Sequence, residues 1–213
     1  MTQPGRPGLT GYPVNLLPRG RRVLVVGAGR IAARKIEPLL ELGARIEVVA
    51  PQVNTEIRAW ADGGRLLVHE RPFAASDVDG AWLALTATDD PAVNAAVFTA
   101  GEAARVWVNS ADDPVNCSFT LMSVIRRGDL VLSVGTGGRS PALAAHLRRR
   151  LEDEIGPEYE TVLALLSEAR EGLRASGRSS EDANWQAAFD GGIVEMVQSG
   201  RVDEAKELLE SCL

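Results

Sequence analysis

Four short segments carry residue types and spacings that could do chemistry, and a glycine turn comes first. Gly27-Ala-Gly29-Arg30-Ile31-Ala32 follows four consecutive apolar residues, Val23 to Val26, and runs into Ala33-Arg-Lys35. In such a turn the first glycine permits the tight bend and the second lets backbone N–H groups approach a pyrophosphate. The third position must be small for close helix–strand packing, and Ala32 is small enough. A helix starting there points its partial positive end at the phosphates. The reading is a dinucleotide site; the alternative is the same turn binding nothing.

The other three segments follow strand-like runs. Thr86-Ala-Thr88-Asp-Asp90 offers hydroxyls and carboxylates, although Asp89 or Asp90 could simply cap a helix opening at Pro91. Asn109-Ser-Ala-Asp112-Asp113-Pro114 places two carboxylates beyond a strand end. One of them could take a proton from a substrate while a hydride leaves for a nicotinamide, or could form an Asx-turn before Pro114. Gly135-Thr-Gly137-Gly138-Arg139-Ser140-Pro141 is a second glycine loop before a helix. Its amides and Arg139 could hold a carboxylate or phosphate, while Ser140 suits a cap. His69 and His146 have no motif neighbours, and His146 is the better-placed candidate of the two. Val48-Val-Ala-Pro51-Gln52 lacks the acid that usually holds an NAD ribose, so Gln52 is the candidate contact and the residues leave NAD or NADP open.

The elements that must position these segments alternate. Val23–Val26, Arg45–Ala50, Leu66–Glu70, Trp82–Thr86 and Val106–Asn109 read as strands, and the first is apolar throughout, as a strand covered on both faces requires. Helical patterns at 54–62 and 91–102 lie between them, which predicts a doubly wound parallel sheet. Ser118–Ile125 and Leu130–Val134, separated by Arg126-Arg-Gly-Asp129, read instead as a hairpin. Ser140-Pro141 opens a helix, and from Glu158 the chain is helical, with Val162, Leu165, Leu166, Ala169 and Leu173 on one stripe suited to core or dimer packing. Residues 1–20 read as a Pro/Gly-rich lead-in, with Tyr12–Leu17 packed on the domain. The expected division is 1–113, 114–147 and 148–213: a Rossmann-type dinucleotide domain, a small β-containing dimerisation unit and a helical tail.

Composition narrows the class. With 213 residues, 45% of them hydrophobic and 24% charged, the chain can bury a sizeable core. A net charge of −6 argues against general nucleic-acid binding. No apolar run is long enough to span a bilayer and residues 1–10 lack a signal-peptide core, so a cytoplasmic protein without membrane partners is expected. Cys117 and Cys212 form neither a disulfide framework nor a metal-ligand spacing, so reduced thiols and no fixed metal site are expected.

Taken together, Val25–Lys35, Leu85–Asp90, Val108–Asp112 and Gly137–Pro141, in this order over roughly Tyr12 to Pro157, resemble the precorrin-2 dehydrogenase family, the siroheme synthase N-terminal module. The resemblance implies an NAD-binding Rossmann domain that oxidises precorrin-2 to sirohydrochlorin, acting as a homodimer. In some members it also implies insertion of ferrous iron as a chelatase substrate. It implies that Asp112 is the key carboxylate, acting as base or as a substrate-orienting group, and that Asn109, Gly137, Gly138, Arg139 and Ser140 serve the substrate. Gly27, Gly29, Arg30, Ile31, Pro51, Gln52, Thr86 and Thr88 are the expected cofactor contacts, with NAD preferred. A polycarboxylate tetrapyrrole needs local positive potential on an acidic protein, for which Arg139, the Gly137–Ser140 amides and Lys35 are candidates. The methyltransferase domain of larger relatives is not expected within 213 residues, so a separate uroporphyrinogen methyltransferase is the expected upstream partner. A nucleotide-sensing module, and a chelatase or tetrapyrrole carrier that has lost dehydrogenation, are the competing classes. A sensor has no need of the Asp112 segment, and a carrier has no need of the glycine turn.

Overall fold

The computed structural model describes residues 11–181 and 183–213, so the expectations for residues 1–10 lie outside it. Strand β1 (Arg22–Val26) leads through the glycine turn to helix α1 (Arg30–Glu41), then β2 (Arg45–Val49), α2 (Thr55–Asp62) and β3 (Leu67–His69). The chain then crosses to β4 (Leu83–Thr86), α3 (Pro91–Ala104) and β5 (Trp107–Ser110). All five strands are parallel in the order β3-β2-β1-β4-β5, the doubly wound arrangement expected. The direction in which successive strands are added to the sheet reverses between β1 and β4, and open α/β sheets bind ligands in the crevice beyond the strand ends at that switch.

The four apolar residues of β1 are explained by their two destinations. Val23 and Val25 enter one core with Ala32, Ala33 and Ile36 of α1 and Ile57 of α2. Leu24 and Val26 enter the opposite core with Val97 of α3 and Val108 of β5. Side chains of a strand alternate faces, so an uninterrupted apolar run marks a strand covered on both sides.

Past β5, strands β6 (Ser123–Arg127) and β7 (Leu130–Val134) pair antiparallel across Gly128-Asp129. The hairpin therefore starts later than the expected Ser118. The reason is local: the Ser118 N–H donates to the Val108 carbonyl (2.8 Å) and Ser118 Oγ accepts the Val108 N–H (2.7 Å), so this stretch covers the edge of β5. Helices α4 (Pro141–Glu154), α5 (Glu158–Ala175), α6 (Trp185–Asp190), α7 (Ile193–Gln198) and α8 (Val202–Ser211) follow. Val162 and Leu165 of the anticipated stripe anchor a third core with Ala188, Ile193, Val197, Ala205 and Leu209. Two compact units result, the first ending at Leu121 and the second spanning Met122–Leu213. Helix α4 runs unbroken through the boundary expected at residue 147.

One packing expectation fails. Tyr12 and Leu17 are 89% and 78% exposed, so the segment they belong to does not cover the first unit. The helices α1, α2 and α3 already cover both faces of the sheet. Among the described residues no helix is long and apolar enough to cross a membrane.

Candidate functional site

The glycine turn is held by the sheet itself. Gly27 adopts φ +100°, and a Cβ there would lie 2.4 Å from the Ala87 carbonyl oxygen and 2.8 Å from its carbon. Only glycine fits against this exit from β4. Gly29 has ordinary extended backbone and caps α1, yet no side chain accepts from the first-turn N–H groups, and a Cβ at Gly29 would meet nothing within 4 Å. These donors and the partial positive helix end suit a pyrophosphate, so the residues present fit a dinucleotide. Arg30 and Ile31 open the helix and are exposed, as are Pro51 and Gln52 beyond β2.

The threonines after β4 are committed elsewhere. Thr86 is fully buried, its hydroxyl hydrogen-bonds Ser110 Oγ at 2.8 Å, and its carbonyl accepts the Ala111 N–H at 3.0 Å. Its side chain has no route to a ligand, which corrects the expected cofactor contact: Thr86 ties β4 to β5. Thr88 donates to Asn94 Oδ1 (2.9 Å) and so braces the start of α3. Asp90 is the cap, accepting from the Ala92 N–H at 2.8 Å, which leaves Asp89 without that duty.

Beyond β5 the two neighbouring aspartates separate in role. Asp113 makes the turn: its carboxylate accepts from Asn116 Nδ2 at 2.6 Å and its carbonyl accepts the Asn116 N–H at 3.1 Å. Asp112 is exposed, makes no side-chain hydrogen bond among the described residues, and sits at φ +55°. Left-handed backbone in a residue other than glycine is uncommon and clusters at functional sites.

Asn109 is not free for substrate, contrary to expectation. Its amide nitrogen donates to the Phe119 carbonyl at 3.0 Å, which turns Oδ1 toward Lys35, whose Nζ donates to it at 2.8 Å. Lys35 descends from the second turn of α1, on the flank of the buried Ala32, Ala33 and Ile36. Burial lowers its pKa, while the nearby Cys117 and Asp112 pull it back up. Cys117 accepts the Ser110 N–H through Sγ at 3.2 Å. Burial is the main cause holding its thiol above the ordinary value. Lys35 was legible as a cation; that Asn109 and Cys117 build its surroundings was not, because neither belongs to a charge motif.

In the second unit, Gly137 and Gly138 both adopt positive φ (59° and 72°) and Ser140 caps α4 by accepting the Leu143 N–H at 3.1 Å. Thr136 Oγ1 accepts the Ser140 N–H at 3.2 Å, so the loop is internally bonded, with Arg139 exposed on it. His146 is exposed on α4, and His69 ends β3 at 3.9 Å from a Glu47 oxygen. Among the described residues no group of three His, Cys, Asp or Glu side chains is placed to hold a metal ion.

Residues 14–123, just over half of the chain, match the family model described as "Putative NAD(P)-binding". The chain belongs to this NAD(P)-binding family. Residues 127–154 match the model for the sirohaem biosynthesis protein central region. The siroheme synthase of Nitrosococcus oceani is 34% identical over 94% of this chain and 43% of that protein. That of Pseudomonas paraeruginosa is 38% identical over 92% and 42%. The chain thus spans under half the length of the curated relatives it matches. The solved structure of SirC, precorrin-2 dehydrogenase, superposes with a TM-score of 0.68 at 27% identity, covering 95% of this chain and 98% of SirC. The family resemblance read from the motifs is borne out, and so is the α/β architecture with a small antiparallel pair and a helical C-terminal part.

Proposed function

We propose that this chain oxidises precorrin-2 to sirohydrochlorin with NAD as the acceptor. The observation that carries the reading is the end of β5, where Asp112 is released from turn duty in left-handed backbone and Lys35, from the helix opening at the glycine turn, reaches Asn109, three residues before it, at 2.8 Å. The likeness to SirC over nearly the whole chain supports the same reaction. Bound NAD takes up a hydride. The α1 amides after Gly29 would hold its pyrophosphate, with Arg30 and Ile31 beside it, and Pro51 and Gln52 would line the ribose. NAD is preferred to NADP because Gln52 is neutral and Arg58, the first basic residue of α2, is engaged by Glu70 at 2.6 Å. The substrate loses a hydride and a proton together, and Asp112 faces the pyrrole N–H groups as the acceptor of that proton. Gly137, Gly138, Arg139 and Ser140 are assigned to binding substrate carboxylates.

A homodimer through the hairpin is part of the proposal, since Val124 and Val131 are 38% and 39% exposed on a two-stranded sheet whose edges are otherwise open. The free Cys117 and Cys212 suit a reducing compartment, which supports a cytoplasmic reading. The test is anaerobic turnover of precorrin-2 with NAD, followed at the absorbance of the product and repeated with Asp112→Ala. Product formed only with NAD, and lost in the variant while NADH binding persists, is the expected result. Folded, NADH-binding protein that forms no product would replace the enzyme with a sensing module. Ferrous iron added to the same assay reads iron insertion, with the ion as substrate.

A further inference from the structure

Lys35 carries a charge that the fold does not answer. Its ammonium is half-buried, forms no ion pair among the described residues, and spends one donor on a neutral amide oxygen, Asn109 Oδ1 at 2.8 Å. Asn109 cannot turn that oxygen away, because its own N–H group is fixed on the Phe119 carbonyl at 3.0 Å. Elsewhere in the first unit the part-buried cation Arg22 is paired with a carboxylate, Glu47, at 2.7 Å. A desolvated ammonium with two donors to spare is stabilised by an anion supplied from outside. Asp112 is exposed on its turn and makes no hydrogen bond to it.

We propose that Lys35 is a substrate-binding residue that takes one carboxylate of the tetrapyrrole beside Asp112, with Asn109 as its positioning residue. This rests on the oxidation reading above and deepens it. A lysine anchored on a rigid helix and aimed by a locked amide fixes one edge of the macrocycle relative to Asp112, which is a matter of binding and orientation rather than proton transfer. It also gives Asn109 a purpose that a direct substrate contact would not, since both ends of its amide are already engaged.

The experiment uses the full chain and two probes, sirohydrochlorin and NADH, each titrated by fluorescence, together with anaerobic kinetics. A charge-assisted hydrogen bond corresponds to a loss of roughly 10- to 100-fold in affinity when it is removed. Lys35→Met should therefore raise KM for precorrin-2 and Kd for sirohydrochlorin by about that factor. It should leave Kd for NADH within about twofold and lower kcat less than it raises KM. Lys35→Arg should recover part of the loss. Asn109→Ala should weaken sirohydrochlorin binding in the native background but add little in the Lys35→Met background, since the two act as a unit. Lys35→Met and native proteins with equal KM and equal product affinity would overturn the assignment. So would a loss falling on NADH instead, or additive losses for Asn109→Ala, which would mark Asn109 as structural. Native protein that neither binds sirohydrochlorin nor turns over precorrin-2 would refute the oxidation reading itself, and this inference with it.

Discussion

Gly27 and Gly29 stand two residues apart and should fail in opposite ways when changed to alanine. At Gly27 a methyl group meets the Ala87 carbonyl at 2.4 Å, and the backbone sits at φ +100°. Forcing an L-residue into such a conformation costs roughly 1–3 kcal/mol. Overpacking against rigid backbone adds about 1–3 kcal/mol. Gly27→Ala should therefore lose roughly 2–6 kcal/mol out of the ~5–15 typical of a domain. At Gly29 the methyl group meets nothing within 4 Å and the backbone is already in a region open to any residue. Gly29→Ala should leave stability unchanged or raise it by about 0.4–1 kcal/mol through the unfolded state. It should nonetheless weaken NADH binding roughly 10-fold or more, because the methyl group stands where the pyrophosphate must approach the α1 amides, and Gly29→Asp should weaken it further by charge. Urea unfolding of both proteins, paired with NADH titration, separates the two effects. A Gly29→Ala protein that is as stable as the native chain and binds NADH equally well would refute the placement of the cofactor. A Gly27→Ala protein of native stability would refute the packing of the turn.

Other expectations follow from single contacts. Thr86→Val leaves Ser110 Oγ without its buried partner and should cost about 1–3 kcal/mol in urea unfolding. Asp77 is held below its ordinary pKa chiefly by Arg71, so its contribution is complete at neutral pH and lost as pH falls from the ordinary value through the folded one. Asp77→Asn should therefore flatten the acid limb of a stability–pH curve, and an unchanged limb would deny the coupling. Cys117, with its thiol pushed up by burial, should react with iodoacetamide more slowly than an unstructured cysteine at pH 8, and faster once the protein is unfolded in urea. Val131→Asp, on the exposed face of the hairpin, should convert a dimer to monomer by sedimentation while circular dichroism stays unchanged.

The architecture was legible because its signals are local and periodic. Four apolar residues before Gly27 announce a strand covered on both faces, as found, and Asp89-Asp90-Pro91 announces a cap for α3, a duty the structure gives to Asp90. What escaped was partnership across the sequence. Nothing near Thr86 says that its hydroxyl is used up by Ser110, 24 residues on, nor near Asn109 that its amide answers to Lys35, 74 residues back. Asp112 and Asp113 are the same residue type in the same turn, and only geometry shows that Asp113 makes the turn. The start of β6 shifted for a related reason: Ser118 is β-prone by pattern, but the unpaired edge of β5 claims it first.

The bridge between Thr86 and Ser110 bears on time as well as on place. Because the same threonine also receives the Ala111 N–H, the exits of β4 and β5 are joined by both side chain and backbone, immediately before the turn that carries Asp112. The amide hydrogen of Ala111 should then exchange with deuterium only when the sheet itself opens, while the amides of Asp112 and Asp113 exchange far sooner. Slow and fast amides would thus abut within two residues, and the Asp112 carboxylate would swing on a short tether from a post that does not move.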